Sequence, residues 1–176
     1  MSRLIPPQPW DLPMRLPESK ILTWDSVKAW RAALRQANRR LVLTNGCFDI
    51  LHRGHVDYLA RARLLGDALL LAVNSDASIR ALKGPDRPLN SEHDRRFVLA
   101  GLESVDGVVV FDSLRADGII TLAEPDFYAK GGDISLATLP AEERLALDAC
   151  GTQIVFLPFL DGFSTTGTIN KARKNR

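Results

Sequence analysis

Leu41-Val42-Leu43-Thr44-Asn45-Gly46-Cys47-Phe48-Asp49-Ile50-Leu51-His52-Arg53-Gly54-His55 is the stretch that decides the fold. It begins as a short apolar run, Leu41 to Thr44, that stops at Asn45-Gly46, the pattern of a buried strand entering a turn. From His55 to Leu65, apolar Val56, Leu59, Ala60, Ala62 and Leu64 recur at helical spacing, and Gly66 supplies the stop. Ala68 to Asn74 then reads as a second buried strand.

The alternation extends in both directions. Upstream, Asp25 or Ser26 can cap a helix in which Val27, Trp30, Leu34 and Ala37 share a face. Downstream, Asn90 or Ser91 can cap a helix through Leu102, followed by the strand Gly107 to Phe111. A helix near Leu114 to Leu122 precedes the strand Phe127-Tyr128-Ala129. Pro140 opens another helix, with Glu142 and Glu143 behind it to complement the dipole, and Gly151 closes it. Gln153 to Leu157 is a fifth strand, and Ser164 can cap a last helix running into a basic tail from Lys171. Near-continuous apolar strands alternating with helices predict a doubly wound, five-stranded parallel sheet covered on both faces: one α/β domain over 21–176. Residues 1–20 carry too many prolines for regular structure and are expected to form an extended arm, either a free tail or a segment docking on a neighbouring subunit through Trp10 and Leu12.

The chain has 176 residues, a length that suits one domain and buries enough surface to fold without staples. Hydrophobic residues at 45% and charged residues at 25% exclude disordered and fibrous classes. The 23 basic and 21 acidic residues nearly cancel, so no strong nucleic-acid field arises. Apolar runs are too short to cross a bilayer, and the proline-interrupted start lacks the pattern of a signal peptide. Two cysteines, Cys47 and Cys150, suggest no disulfide framework. A cytoplasmic location is the expectation, with neither membrane nor nucleic acid as a partner.

Ligands of such sheets bind beyond the carboxyl ends of the strands, which singles out the loops after them. The first loop is neither a dinucleotide fingerprint nor a Walker A sequence. Its glycine lets backbone approach a phosphate closely, and His52 and His55 at a helix start can both face one anion beside free N–H groups. The same two histidines could instead be a fragment of a zinc site, which needs further Cys, His or carboxylate ligands, or could serve only to cap the helix. Cys47, beside a helix N-terminus, is a redox candidate or a small filler. In the last loop, Ser164, Thr165 and Thr166 offer hydroxyl and backbone donors for a second phosphate cradle. Lys130-Gly131-Gly132-Asp133 joins a cation, exposed backbone and an acceptor for sugar hydroxyls, although a plain turn explains it equally well. Lys83-Gly84-Pro85-Asp86-Arg87-Pro88 is a basic, turn-rich segment ahead of Arg95 and Arg96. It can close over phosphates and bring Lys83 to developing charge, or be a solvated loop.

Gly46-x-Phe48-Asp49-x-x-His52-x-Gly54-His55, taken with Ser164-Thr165-Thr166, resembles the nucleotidyltransferase superfamily that carries the HxGH signature. The likeness runs from about Leu41 to Ala172. TNGCFDILHRGH at 44–55, LKGPDRP at 82–88 and AKGGD at 129–133 are most similar to the bacterial D-glycero-β-D-manno-heptose 1-phosphate adenylyltransferases. The resemblance implies a Rossmann-like fold in which a sugar 1-phosphate oxygen attacks the α-phosphorus of ATP in line. Pyrophosphate is released and no covalent enzyme intermediate forms. It assigns phosphate binding and charge stabilisation to His52 and His55, charge neutralisation to Lys83, and the grip on the acceptor's phosphate to Arg95. Nucleotide binding falls to Thr44, Asn45, Gly46, Cys47, Phe48 and Asp49, to Lys130, Gly131 and Asp133 on the nucleoside or sugar side, and to Ser164, Thr165 and Thr166 at the triphosphate. Mg²⁺ enters with ATP, without a dedicated protein site. The resemblance also implies a homodimer and, because many relatives carry a fused sugar kinase, an upstream kinase on a separate chain. Glycerol-3-phosphate cytidylyltransferases share the HxGH and Ser-Thr-Thr elements, but their pattern has an arginine where this chain has Phe159-Leu160 and lacks Lys-Gly-Gly-Asp. They remain one alternative; an ATP-binding regulator without turnover is another.

Overall fold

The computed structural model describes residues 14–132, 134–158, 160, 162, 163, 165 and 167. Five strands, β1 (Leu41–Gly46), β2 (Ala68–Asn74), β3 (Gly107–Phe111), β4 (Phe127–Gly131) and β5 (Gln153–Leu157), form one sheet in the order β3-β2-β1-β4-β5. All neighbours are parallel. The helices are α1 (Trp24–Gln36), α2 (Arg53–Arg63), α3 (Asp76–Lys83), α4 (Glu92–Ala100), α5 (Asp117–Ala123) and α6 (Ala141–Cys150).

Period-two alternation divides each strand between two cores. Leu41, Leu43, Leu70, Ala72 and Val109 face α1, α5 and α6, where Val27, Leu34, Ile119, Ile120 and Leu147 meet them. Val42, Leu69, Leu71, Val73 and Val108 face α2 and α4, against Tyr58, Leu59, Ala62, Leu99 and Ala100. Both faces of β1 to β4 are therefore covered, which is why those strands read as apolar runs, whereas edge strand β5 leaves Gln153 and Phe156 exposed.

Crossovers from β1 lead one way to β2 and β3, and β4 and β5 lie on the other side. The reversal falls between β1 and β4, where the register pairs only Val42 with Phe127 and Leu43 with Tyr128. By contrast, β1 and β2 stay in register from Leu41 to Gly46, and β4 and β5 from Phe127 to Gly131. The sheet splits open beyond Leu43 and Tyr128.

Three expectations need correction. The first helix is capped by Thr23, not by Asp25 or Ser26: Thr23 and Ser26 exchange side-chain-to-backbone bonds in a capping box, so Ser26 is the third helical residue. The segment before Lys83 is a helix, α3, where only a loop was expected; Ser75 caps it through Ser78 N and Ile79 is fully buried. Residues 14–20, expected as part of an extended arm, pack on the domain itself. Pro17–Lys20 is one 3₁₀ turn with proline at its start, Leu22 N donates to Val108 O at 2.7 Å, and buried Lys20 donates to Leu102 O. Trp10, Leu12 and the basic tail from Lys171 lie outside the described residues.

Candidate active site

The opening between β1 and β4 leads into a cavity of about 200 Å³. Asn45, Gly46, Cys47, Phe48, Asp49, His55, Tyr58, Lys83, Lys130, Gly131, Ile134 and Thr165 line it. Side chains cross the gap where the backbone ladder has ended. The Tyr58 hydroxyl, brought by α2, donates to Ala129 O at 2.9 Å and shares a 2.7 Å bond with Thr44 Oγ1. Burial pushes the Tyr58 phenol up to about 12, so it stays protonated as this bridge. Thr44 is fully buried and serves the bridge without lining the cavity.

Sequence order produces the loop between β1 and α2 in three steps. Gly46 leaves the strand with the Phe48 ring above it, so close that a Cβ on Gly46 would stand 2.8 Å from that ring. Phe48 then adopts a left-handed backbone with φ of 46°, costly for a residue with a Cβ. Its ring is buried and packs 5.0 Å from the His55 ring. His52 occupies the N-cap position of α2 but makes no side-chain capping bond, which leaves its imidazole free of that duty.

His52 and His55 stack face to face, with centroids 3.8 Å apart and planes 18° off parallel. Gly54 makes the stack possible: a Cβ there would come within 3.1 Å of His52 Nδ1 and 3.1 Å of the Phe163 Cβ. Phe163, from the loop after β5, lies 6.4 Å from the His52 ring and carries the Arg53 guanidinium 5.7 Å above its own. Sequence reading passed over Phe163, although its place beside Ser164 was the available signal. Among the described residues His52 Nδ1 is buried without a hydrogen-bond partner.

Burial, the neighbouring His52 and the Lys83 charge push the His55 pKa down from 6.5 to about 4, against a smaller opposing pull from the Ile50 carbonyl. Burial lowers His52 as well. Both rings are therefore neutral donors and acceptors near pH 7. The sign for stability follows. The unfolded chain takes up a proton at His55 near 6.5 and the native state only near 4, so stability is lost as pH falls through that window. The denaturation midpoint should drop between those pH values, with a shallower slope in a His55→Gln variant.

Lys83 reaches the cavity from the last turn of α3, and the left-handed Gly84, with φ of 95°, turns the chain away. Asp49 lines the wall, but its carboxylate is occupied. It accepts from Leu89 N at 2.8 Å and Asn90 N at 3.0 Å and holds Arg87 through Nε at 2.6 Å. Asp49 thus clamps the segment after Lys83 onto the first loop.

Arg95 does not line the cavity. It is 2% exposed and its guanidinium donates to Cys47 O at 2.7 Å, Asn74 O at 2.8 Å, Asn90 O at 3.1 Å and Asp76 Oδ1 at 2.8 Å. These four bonds make Arg95 a brace that joins the ends of β1 and β2 to the starts of α3 and α4. Cys47 is part of the wall, with its Sγ 4.0 Å from Asn74 Oδ1.

Lys130, at the end of β4, is buried and donates to Asn45 Oδ1 at 2.7 Å; burial lowers its pKa, and Glu143, 3.4 Å away, opposes the shift. Thr165 lines the cavity as expected, whereas Ser164, Thr166 and Asp133 lie outside the described residues. Among the described residues no group of three or more His, Cys, Asp or Glu is placed to hold a metal ion, and no helix is long and apolar enough to cross a membrane.

Residues 43–167 match the cytidylyltransferase-like family. The bifunctional protein HldE of Wolinella succinogenes is 44% identical over 154 residues, covering 88% of this chain and 31% of that protein. HldE of Pectobacterium carotovorum subsp. carotovorum is 45% identical over 155 residues, with 88% and 32% covered. The chain thus spans about a third of the length of the curated relatives it matches. Among solved structures, a lipopolysaccharide core biosynthesis protein from Thermoplasma volcanium superposes with a TM-score of 0.58 at 25% identity, covering 69% of this chain and 97% of that one. A pantoate-beta-alanine ligase from Francisella tularensis gives a TM-score of 0.53 over 88% of this chain and 76% of its own, and its 13% identity makes that a likeness of fold.

Proposed function

The chain belongs to the cytidylyltransferase-like family, and from that premise we propose that it transfers AMP from ATP to a sugar 1-phosphate, D-glycero-β-D-manno-heptose 1-phosphate, yielding ADP-heptose and pyrophosphate. The observation that carries the reading is the His52–His55 stack at the start of α2, opening on a cavity that also holds Lys83 and Lys130. The adenylyl donor and the heptose come from the likeness of segments 44–55, 82–88 and 129–133 to that branch, which the identity to the HldE proteins supports. A lipopolysaccharide core biosynthesis protein among the structural neighbours is in keeping with an activated sugar.

In this reading an oxygen of the sugar phosphate forms a bond to the α-phosphorus, and the bond from that phosphorus to the bridging oxygen breaks. Pyrophosphate leaves with the electron pair. The protein's part is positioning and charge stabilisation. His52 and His55, neutral before ATP arrives, offer N–H donors to the α- and β-phosphates, and the bound anion raises their pKa values so that protonation adds charge where it develops. The free N–H groups at the start of α2 add to this, and Lys83, whose charge already acts on His55, neutralises the phosphates. Thr165, with Ser164 and Thr166, would hold the triphosphate, and Lys130, Gly131 and Asp133 the sugar-bearing side.

Mg²⁺ would arrive on the triphosphate and withdraw phosphate charge. The wall suits that arrangement, because its carboxylate, Asp49, is already engaged with Arg87. A homodimer and a sugar kinase that supplies the heptose 1-phosphate belong to the same reading.

Pyrophosphate release with Mg²⁺ is the test, pairing ATP or CTP with heptose 1-phosphate or glycerol 3-phosphate. Release confined to ATP with the heptose is the expected result. Release with CTP and glycerol phosphate would overturn the substrate assignment, and silence in all four pairs with ATP still bound would point to a different acceptor or to a regulator.

A further inference from the structure

Glu143 reads in the sequence as one more acid at a helix start, yet it is 3% exposed. Its Oε1 accepts from Ala116 N at 3.0 Å, and its Oε2 accepts from the Tyr128 hydroxyl at 3.0 Å and lies 3.4 Å from Lys130 Nζ. Lys130 donates to Asn45 Oδ1 at 2.7 Å, and the Tyr128 hydroxyl lies 2.7 Å from the same oxygen, its single proton shared between Asn45 and Glu143. A buried carboxylate is thus spent on holding two groups that hold a third, at the crevice between β1 and β4.

The consequence is chemical. A lysine ammonium has only donors, so its contact fixes which end of the Asn45 carboxamide faces it. With Oδ1 turned to Lys130 and Tyr128, Asn45 has its –NH₂ to offer the cavity. Lys130 adds further N–H groups, but its charge is offset by Glu143. This stretch of wall therefore presents donors without net charge, whereas Lys83 and the start of α2 present donors with positive charge. An uncharged oxygen-rich group fits the first and phosphates fit the second.

We propose that Glu143 is a positioning residue that, through Lys130 and Tyr128, sets Asn45 and Lys130 as a reader of sugar-ring hydroxyls. This rests on the sugar-phosphate and nucleotide reading given above. The ring is either that of the acceptor sugar or the ribose of the nucleotide, since both offer the same vicinal hydroxyls. Glu143→Gln keeps the shape and removes the charge; burial then lowers the Lys130 pKa with less opposition, and the hold on Asn45 loosens.

The test combines steady-state kinetics with calorimetric binding of ATP and of heptose 1-phosphate to the full chain. Glu143→Gln is expected to raise KM and Kd for one of the two about tenfold, with kcat falling much less, the pattern of lost binding rather than lost transition-state contact. Glu143→Asp, which keeps the charge, should recover part of the loss. A rise for heptose 1-phosphate alone identifies the acceptor ring; a rise for ATP that vanishes with 2′-deoxy- or 3′-deoxy-ATP identifies the ribose. Equal weakening of both ligands that follows a lowered melting temperature would reduce Glu143 to a structural residue and overturn the proposal. Wild-type binding and turnover with an unaltered Glu143→Gln variant would sink this proposal alone. Failure of the wild type to bind either ligand would sink the function reading and this one with it.

Discussion

Alanine at His55 is expected to slow pyrophosphate release about 100-fold or more while the fold stays intact, and alanine at His52 to do the same. Groups aimed at charge that develops in the transition state are each worth about 3 kcal/mol. Neither ring holds the fold together. His52 stands at the N-cap of α2 without a side-chain capping bond, and its Nδ1 is buried unpartnered among the described residues. His55 lies against Phe48 at the cavity wall, where truncation enlarges an existing opening rather than emptying a sealed core. Thermal unfolding should separate the two effects, showing a small shift beside the large rate loss. Unchanged turnover in both variants would sink the mechanism.

Arg95→Ala should act in the opposite way, costing about 3–5 kcal/mol of stability because it strips the partner from a buried charged network. Three carbonyls, of Cys47, Asn74 and Asn90, and the Asp76 carboxylate would lose a donor together. That is a large share of the 5–15 kcal/mol that holds a domain folded. Lysine should rescue little, since one ammonium cannot reproduce a planar fork that reaches four acceptors. Denaturant titration reads the effect directly. A fully stable Arg95→Ala variant with a raised KM for the sugar phosphate would restore the phosphate grip expected from the sequence.

This contrast shows where sequence reading succeeds. β1 to β4 were legible because both their faces are largely buried, and β5, a half-buried edge strand, by its apolar run: β2, β3 and β5 match their expected bounds, and β1 and β4 run two residues further. The doubly wound fold follows from that pattern, and so does the cluster of loops that converges on the cavity. Side-chain direction was not legible. His55, Lys83, Lys130 and Thr165 meet in the wall, but Asp49, within the signature, and Arg95, outside it, turn their charged groups to bracing loops. Glu143 hides among helix-start acids, and nothing in its neighbours' spacing reveals that Tyr128 and Lys130 lie within reach. α3 escaped because its eight residues give too short a period to stand out, although Ser75 before Asp76 is a sound cap signal.

The two register pairs between β1 and β4 carry a further consequence for how such a protein can change. A backbone ladder joins strands whatever residues they bear, so most of this sheet is indifferent to sequence drift as long as its faces stay apolar. At the mouth of the site the joint is made instead by Tyr58 with Thr44 and Ala129, and by Lys130 with Asn45. Each of those stitches is a separate, replaceable choice. A substitution there retunes the width and chemistry of the crevice without asking the rest of the sheet to move, so new substrates can be tried at one seam of an otherwise unchanged scaffold.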